Sequence, residues 1–272
     1  MIMEKYIKKY MFEYDEDKNH NKKDVKRIIN ELDENVIKNL YDNMKIMMIL
    51  EKIILNFSSG YDTDELKNKI MCHGVRVYNN AKIIVSNLEN KKIMYLSNND
   101  KRILYLACIC HDIGKIYSKN NHHFYSVIIL EYILNKLNII KKEDIKYILE
   151  PIYFHSSKTK HKSKISQLAK ILRDADLFDE NCGQSLLILL VSNIKNKHNN
   201  LNFIDYKKST RLLKEKMNPS YKAKIEEKIN IESNKKLYND LLWDAMSKYY
   251  EIIQPFECEQ DNDPYYYNSI EL

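Results

Sequence analysis

Apolar residues return every three or four positions along most of the chain, the spacing of one helical face, and nowhere alternate with polar ones as a half-buried strand requires. From Lys22 to Phe57 the recurrence Val25, Ile28, Ile29, Leu32 and then Ile37, Leu40, Met44, Met47, Met48 predicts two helices. Ser58-Ser59-Gly60 breaks them, and Asp62-Thr63-Asp64 offers caps for a helix from about Glu65 to Leu88. Its stripe Leu66, Ile70, His73, Val77, Ala81, Ile84, Leu88 turns His73 inward, and Gly74 beside it lets another backbone come close.

The segment Lys101 to Cys110 is apolar all round, which predicts a central helix, and it runs into His111-Asp112-Ile113-Gly114-Lys115. A helix from about His122 to Leu137 has two candidate inward rows, one beginning at His122 and one at His123. Ile145, Ile148, Ile152 and His155 form another inward stripe, with Pro151 either opening its second half or kinking it. After the basic loop 158–164, Ile165, Ala169, Leu172 and Asp176 share a face, so a carboxylate stands where an apolar residue is expected. Ser185 to Ile194 reads as core, followed by two or three Lys-rich amphipathic helices up to about Ile253. The stretch from Gln254, acidic and ending in Tyr265-Tyr266-Tyr267 and a few more residues, reads as a surface-lying or disordered tail.

The expected fold is therefore all-α. Its parts are a helical extension packed on the core over 1–65, the core at 66–183, further helices of the same domain at 184–253 and the tail at 254–272. Lys and Arg exceed Asp and Glu by 44 to 38, a balance that favours anions such as phosphates and permits nucleic acid without supporting it. The five cysteines, 72, 108, 110, 182 and 258, contain no CxxC pair and read as reduced core residues. A zinc site built on Cys72, Cys108 or Cys110 is the alternative, and Cys-x-Cys within one helix is poor tetrahedral spacing. The start does not resemble a signal peptide, and the greasiest run, Ser185 to Val191, is too short to span a bilayer. A soluble, cytoplasmic protein with no membrane partner is expected.

Six of the eight histidines, 73, 111, 122, 123, 155 and 161, fall in the central third. Burying His111 and Asp112 at the end of so apolar a helix would cost several kcal/mol unless a cation receives them. Any one inward histidine has a plain reading as a hydrogen-bonded core residue, and Asp174, Asp176 or Asp179 could cap a helix or pair with Arg173. Several such groups converging would leave too many buried polar atoms without partners. Imidazole and carboxylate ligands without thiolate suit Mn, Fe, Ni, Co or Zn, and such sets commonly leave positions open for water and substrate, which points to hydrolysis.

His73 in HGVRVYNNA, the pair in HDIGK and an aspartate in LRDADLFDE follow one another in the order H, HD, D. This set resembles the HD-domain superfamily of metal-dependent phosphohydrolases over about residues 66–183, and so implies an HD-domain helical bundle with extra helices at both ends. The resemblance implies His73, His111, Asp112 and Asp176 as metal ligands, with His122, which has Ser126 four residues on, and His155 as two more. Four ligands would hold one ion, and all six would hold two with Asp112 bridging. The glycine often found after the motif at His155 is missing, and the interval from HD to His122 is short.

The implied activity is hydrolysis of a nucleotide or dinucleotide, at a phosphomonoester, pyrophosphate or phosphodiester bond, by a metal-activated water. Asp112, Lys115 and His122 are the candidate catalytic groups, with His123 a further candidate proton carrier, and Arg76, Lys115, Lys160 and Arg173 are candidate contacts to a phosphate-containing substrate. Two other readings use the same scaffold: a mixed-valent di-iron oxygenase, and a non-enzymatic module that binds a nucleotide or a protein.

Overall fold

Helices make up almost all the regular structure of the computed structural model, which describes residues 48–49, 68–137, 140–156, 165–195 and 206–257 and contains no strand among them. The helices expected over 22–57 (apart from 48–49), the caps at 62–64, the basic loop with Lys160 and His161, and the tail past 257 lie outside these residues. The chain divides into two compact units, one ending at Asp176 and the other beginning at Leu177.

In the first unit a π-helical turn, Asn68–Cys72, leads into α1, His73–Asn90. His73 thus opens α1 directly after a widened turn, a local distortion that often marks a functional position. Val77, Ala81, Ile84 and Leu88 are buried as their spacing predicts, and Asn80 is buried among them. The next helix, α2, spans Asn98–Cys110 and starts three residues before the apolar run because Ser97 and Asp100 form a reciprocal capping box. Every residue of α2 from Ile103 to Cys110 except Tyr105 is buried, as a central helix requires.

A 3-10 turn, Ile113–Ile116, follows. Then come α3, His122–Leu137, α4, Lys142–Phe154, and α5, Gln167–Phe178, whose last two residues belong to the second unit. The helix α2 packs between α1 and α4, while α3 packs on α4 and on the 3-10 turn. Pro151 lies inside α4, which continues past it to Phe154.

Two glycines let these pieces close up. A Cβ on Gly74 would sit 2.5 Å from the carbonyl oxygen of Ile109, so α1 and α2 touch backbone to backbone next to His73 and His111. A Cβ on Gly114 would sit 2.1 Å from the carbonyl oxygen of His122. Both separations are shorter than any side chain tolerates, so the approach of α1 to α2 and of α3 to the HD turn depends on hydrogen at these positions.

In the second unit α6, Gly183–Lys195, packs on α7, Tyr206–Met217, and on α9, Ser233–Glu257; α8 is the short Pro219–Glu226 helix. Phe178, Leu186, Leu190, Tyr238, Leu242 and Tyr249 are fully buried there. Helix α6 is one-sided rather than wholly core, since Ile188 is half exposed. Helix α9 runs through Glu257, four residues into the stretch read as a tail. Buried Lys216 donates to Asn181 Oδ1 at 2.8 Å and to Tyr221 Oη at 2.7 Å, which satisfies a cation within this second core. No helix among the described residues is long and apolar enough to cross a membrane.

Candidate metal centre

The HD pair sits where α2 ends, because Gly114 and the 3-10 turn interrupt the helix and leave His111 and Asp112 facing the helices packed around it. Three histidines there are built alike. The Nδ1 of His111 lies 2.8 Å from the Cys108 carbonyl, that of His122 2.9 Å from the Lys119 carbonyl and that of His155 2.6 Å from the Ile152 carbonyl, always three residues back. A carbonyl can only accept, so each Nδ1 carries the proton. Each neutral ring must then present the lone pair of Nε2, the tautomer that backbone carbonyls enforce around bound metals.

Those Nε2 atoms converge on carboxylates. His73 and His111 lie 3.2 and 3.5 Å from Asp112 Oδ2, and 3.1 and 3.6 Å from Asp176 Oδ1. His122 and His155 lie 3.4 and 3.8 Å from the other oxygen, Asp112 Oδ1. Asp112 therefore faces one pair of imidazoles with each oxygen. Ligand atoms of His73, His111 and Asp112 lie within 4.8 Å of one another, and so do those of Asp112, His122 and His155.

The protein alone leaves these atoms poorly matched. His111 Nε2 and Asp112 Oδ2 are buried without a hydrogen bond of sound geometry, although Lys115 Nζ and His73 Nε2 stand close to that oxygen. His122 Nε2 faces His155 Nε2 at 2.9 Å, and two lone pairs at that distance repel. Protonating the rings would relieve the mismatch only by crowding imidazolium ions, since the His73–His111, His111–His155 and His122–His155 ring centroids are 5.0, 4.8 and 5.0 Å apart. Burial, together with the charge of His155, lowers the proton affinity of His122. Burial works against ionisation of Asp112, yet the charge of His111 and the hydrogen-bonding groups of His155 and His73 outweigh it and hold the carboxyl far below its ordinary range. Asp176 behaves in the same way through His111 and His73. Imidazole nitrogens directed at ionised carboxylates, with His111 Nε2 and Asp112 Oδ2 buried and unsatisfied, are the donors a divalent cation takes, so the set fits one.

All six expected ligands are brought together. Of the two candidate rows on α3, His122 reaches the centre, while His123 packs its ring against Tyr153, 5.6 Å between centroids. Asp176 faces the centre, whereas Asp174 is fully buried and acts electrostatically on Arg173. Lys115 touches Asp112, with a third of its side chain exposed. Arg76 is half-buried on α1. Arg173, expected against substrate, is buried and donates from Nε to the Phe154 carbonyl and from Nη2 to the Ser156 carbonyl. Among the described residues no cysteine joins the ligand clusters; Cys108, Cys110 and Cys182 are buried free thiols, and Cys72 is exposed rather than core.

Asn80 was not singled out in the sequence. Its Nδ2 donates at 3.1 Å to the carbonyl of Ala175, the residue before Asp176. The signal was present, because an Asn two turns after His73 interrupts an otherwise apolar face.

An all-helical scaffold that gathers four imidazoles and two carboxylates at one helix end has the form of a candidate His/Asp metal site. Residues 70–181 match the family model of the HD domain, within the expected 66–183. Over this stretch the chain is similar to the HD domain, whose members are generally metal-dependent hydrolases. Comparison with curated proteins and with solved structures gave no match.

Proposed function

We propose that the protein is a metal-dependent phosphohydrolase that cleaves a nucleotide or dinucleotide at a phosphoester or pyrophosphate bond. The observation that carries this reading is the division of Asp112, whose two oxygens each face two imidazoles. His73, His111, Asp112 and Asp176 would hold one divalent ion and His122, His155 and Asp112 a second. Manganese, iron, cobalt, nickel or zinc would suit such donors. A cation bound there would lower the pKa of a water to about 7 and polarise a phosphoryl oxygen, supplying a nucleophile in neutral solution.

The chain's own groups supply the rest. Lys115 stands beside Asp112 with part of its length in solvent, so its ammonium can turn to an incoming phosphoryl oxygen and stabilise charge that grows there. Arg76, one turn along α1 from His73, is the next cation for the same task, and Lys160 is proposed as a further contact to a polyphosphate. Asp112 is the proposed group to take or return that water's proton, and His122, with Nδ1 on the Lys119 carbonyl and Nε2 as a ligand, would take part in catalysis by holding the ion.

The test is a panel of nucleotides and dinucleotides offered to purified protein loaded in turn with Mn, Fe, Co and Ni. Release of phosphate, pyrophosphate or a nucleoside monophosphate, lost in His111→Ala and Asp112→Ala, is the expected result. Protein that binds these ions and releases nothing from any member of the panel would refute the activity and favour a binding module. The six side chains would equally serve a di-iron oxygenase, and a redox-active iron pair in Mössbauer spectra with oxygen-dependent turnover would establish that chemistry instead.

A further inference from the structure

His155 is the last residue to join the centre in chain order before Asp176, and it comes at the very end of α4, where the helix has no further turn to hold it. The last carbonyls of a helix have no partner within it and must find one elsewhere. Here the partner is Arg173 of α5. Its Nε donates to the carbonyl of Phe154 at 2.5 Å and its Nη2 to that of Ser156 at 3.1 Å, so one guanidinium grips the backbone on both sides of His155. Phe154 and Ser156 flank the histidine whose own Nδ1 is held by Ile152. The helices are fastened a second time by Glu150, which accepts from the amide and hydroxyl of Ser166 just before α5. Glu150 and Asp174 also supply the negative charge that keeps the buried guanidinium favourable.

We propose that Arg173 is a positioning residue for the second ion: it fixes the main chain around His155 so that Nε2 meets Asp112 Oδ1, and occupancy of the His122–His155 side depends on it. The proposal rests on the reading of the site as a two-ion centre. The guanidinium is planar and forked, so it can bond two carbonyls at once, which the single ammonium of a lysine cannot do with the same geometry. Both of these Arg173 bonds fall on the backbone beside His155, whereas on the His73–His111 side Asn80 donates to the Ala175 carbonyl next to Asp176. Loss of Arg173 should therefore act on one ion and spare the other.

The experiment is titration of metal-free wild type, Arg173→Lys and Arg173→Met with Mn2+, following bound ions by elemental analysis and by electron paramagnetic resonance, where a coupled pair differs from a single ion. Wild type should take up two ions. Arg173→Lys should bind the second roughly 10- to 100-fold more weakly, the range for lost outer-shell partners of ligands, and Arg173→Met should show the uncoupled single-ion signal. Affinity for the first ion should be unchanged in both, which general destabilisation would not produce. If Arg173→Met fails to fold, the lysine variant decides by itself. A coupled pair of undiminished affinity in the lysine or methionine variant, or equal weakening of both ions, overturns the proposal. A wild type that takes up one ion overturns it while leaving a one-ion hydrolase intact, and one that takes up none removes both.

Discussion

The amide of Gly114 donates to Ser126 Oγ at 2.8 Å, tying the turn that carries the HD pair to the helix that carries His122. The two residues fit together because Gly114 has no side chain: a Cβ there would lie 2.1 Å from the His122 carbonyl oxygen and 2.6 Å from the Ser126 nitrogen. Gly114→Ala must push α3 away. We expect a loss of about 1–3 kcal/mol or more, as for an overpacked core, together with weaker binding by His122. Ser126→Ala keeps the spacing and strands the Gly114 amide, at a cost of about 1–3 kcal/mol. Urea unfolding of both variants checks this, and a Gly114→Ala protein as stable as wild type would contradict the packing described.

Asn80 should matter beyond its size. The Ala175 carbonyl it caps lies in the last turn of α5, where helical partners run out. Asn80→Leu keeps the bulk but removes the donor, so we expect a loss of about 1–3 kcal/mol and weaker metal retention, since Asp176 is next in the chain. Unfolding and metal content measured on the same preparation test it, and retention equal to wild type would remove the link to Asp176.

Glu150 supplies a pH dependence outside the ligand set. Burial raises its pKa above the ordinary 4.5, and the hydrogen bonds from Ser166 with the charge of Arg173 only partly offset this. The folded state therefore holds this proton more tightly than the unfolded chain does. Its contribution is fully present below the unfolded value and is lost as pH rises through the folded one. Glu150→Gln should remove this fall, leaving a shallower decline of stability from about pH 4.5 upward. Thermal unfolding across that window is the check, and identical slopes in the two proteins would count against it.

Much of the candidate centre was legible in the sequence because most of its side chains sit on faces with helical periodicity. A His or Asp at an otherwise apolar position, as at His73, His155 and Asp176, announces an inward polar group. His122 and His123 could not be separated in this way, because adjacent positions both fall near the apolar face; the Lys119 carbonyl and His155 decide for His122. Apolar periodicity marks the start of α2 three residues late, because the capping box of Ser97 and Asp100 lies ahead of the apolar run.

Arg173 shows a second limit. A basic residue near a metal motif is consistent with a phosphate contact, and its bonds to carbonyls 17 and 19 residues away follow only from how α4 meets α5. The cap of α5 is similar. Ser166 accepts from Ala169, but the carboxylate that receives its own amide comes from Glu150, sixteen residues back, instead of from the third helical position.

The most direct measurement is thermal unfolding of metal-free protein against Mn2+ concentration, for wild type, His111→Ala, Asp112→Ala and His161→Ala. An ion that binds only the folded state adds about 2.7 kcal/mol at a hundred times its dissociation constant, so wild type and His161→Ala should rise in Tm together. Asp112→Ala, which removes a ligand from both ions, should be indifferent to the metal, and His111→Ala should respond less than wild type. A wild-type Tm that does not move with Mn2+, Fe2+, Co2+ or Ni2+, or a His111→Ala protein that responds as wild type does, would contradict the claim that these side chains form a metal centre.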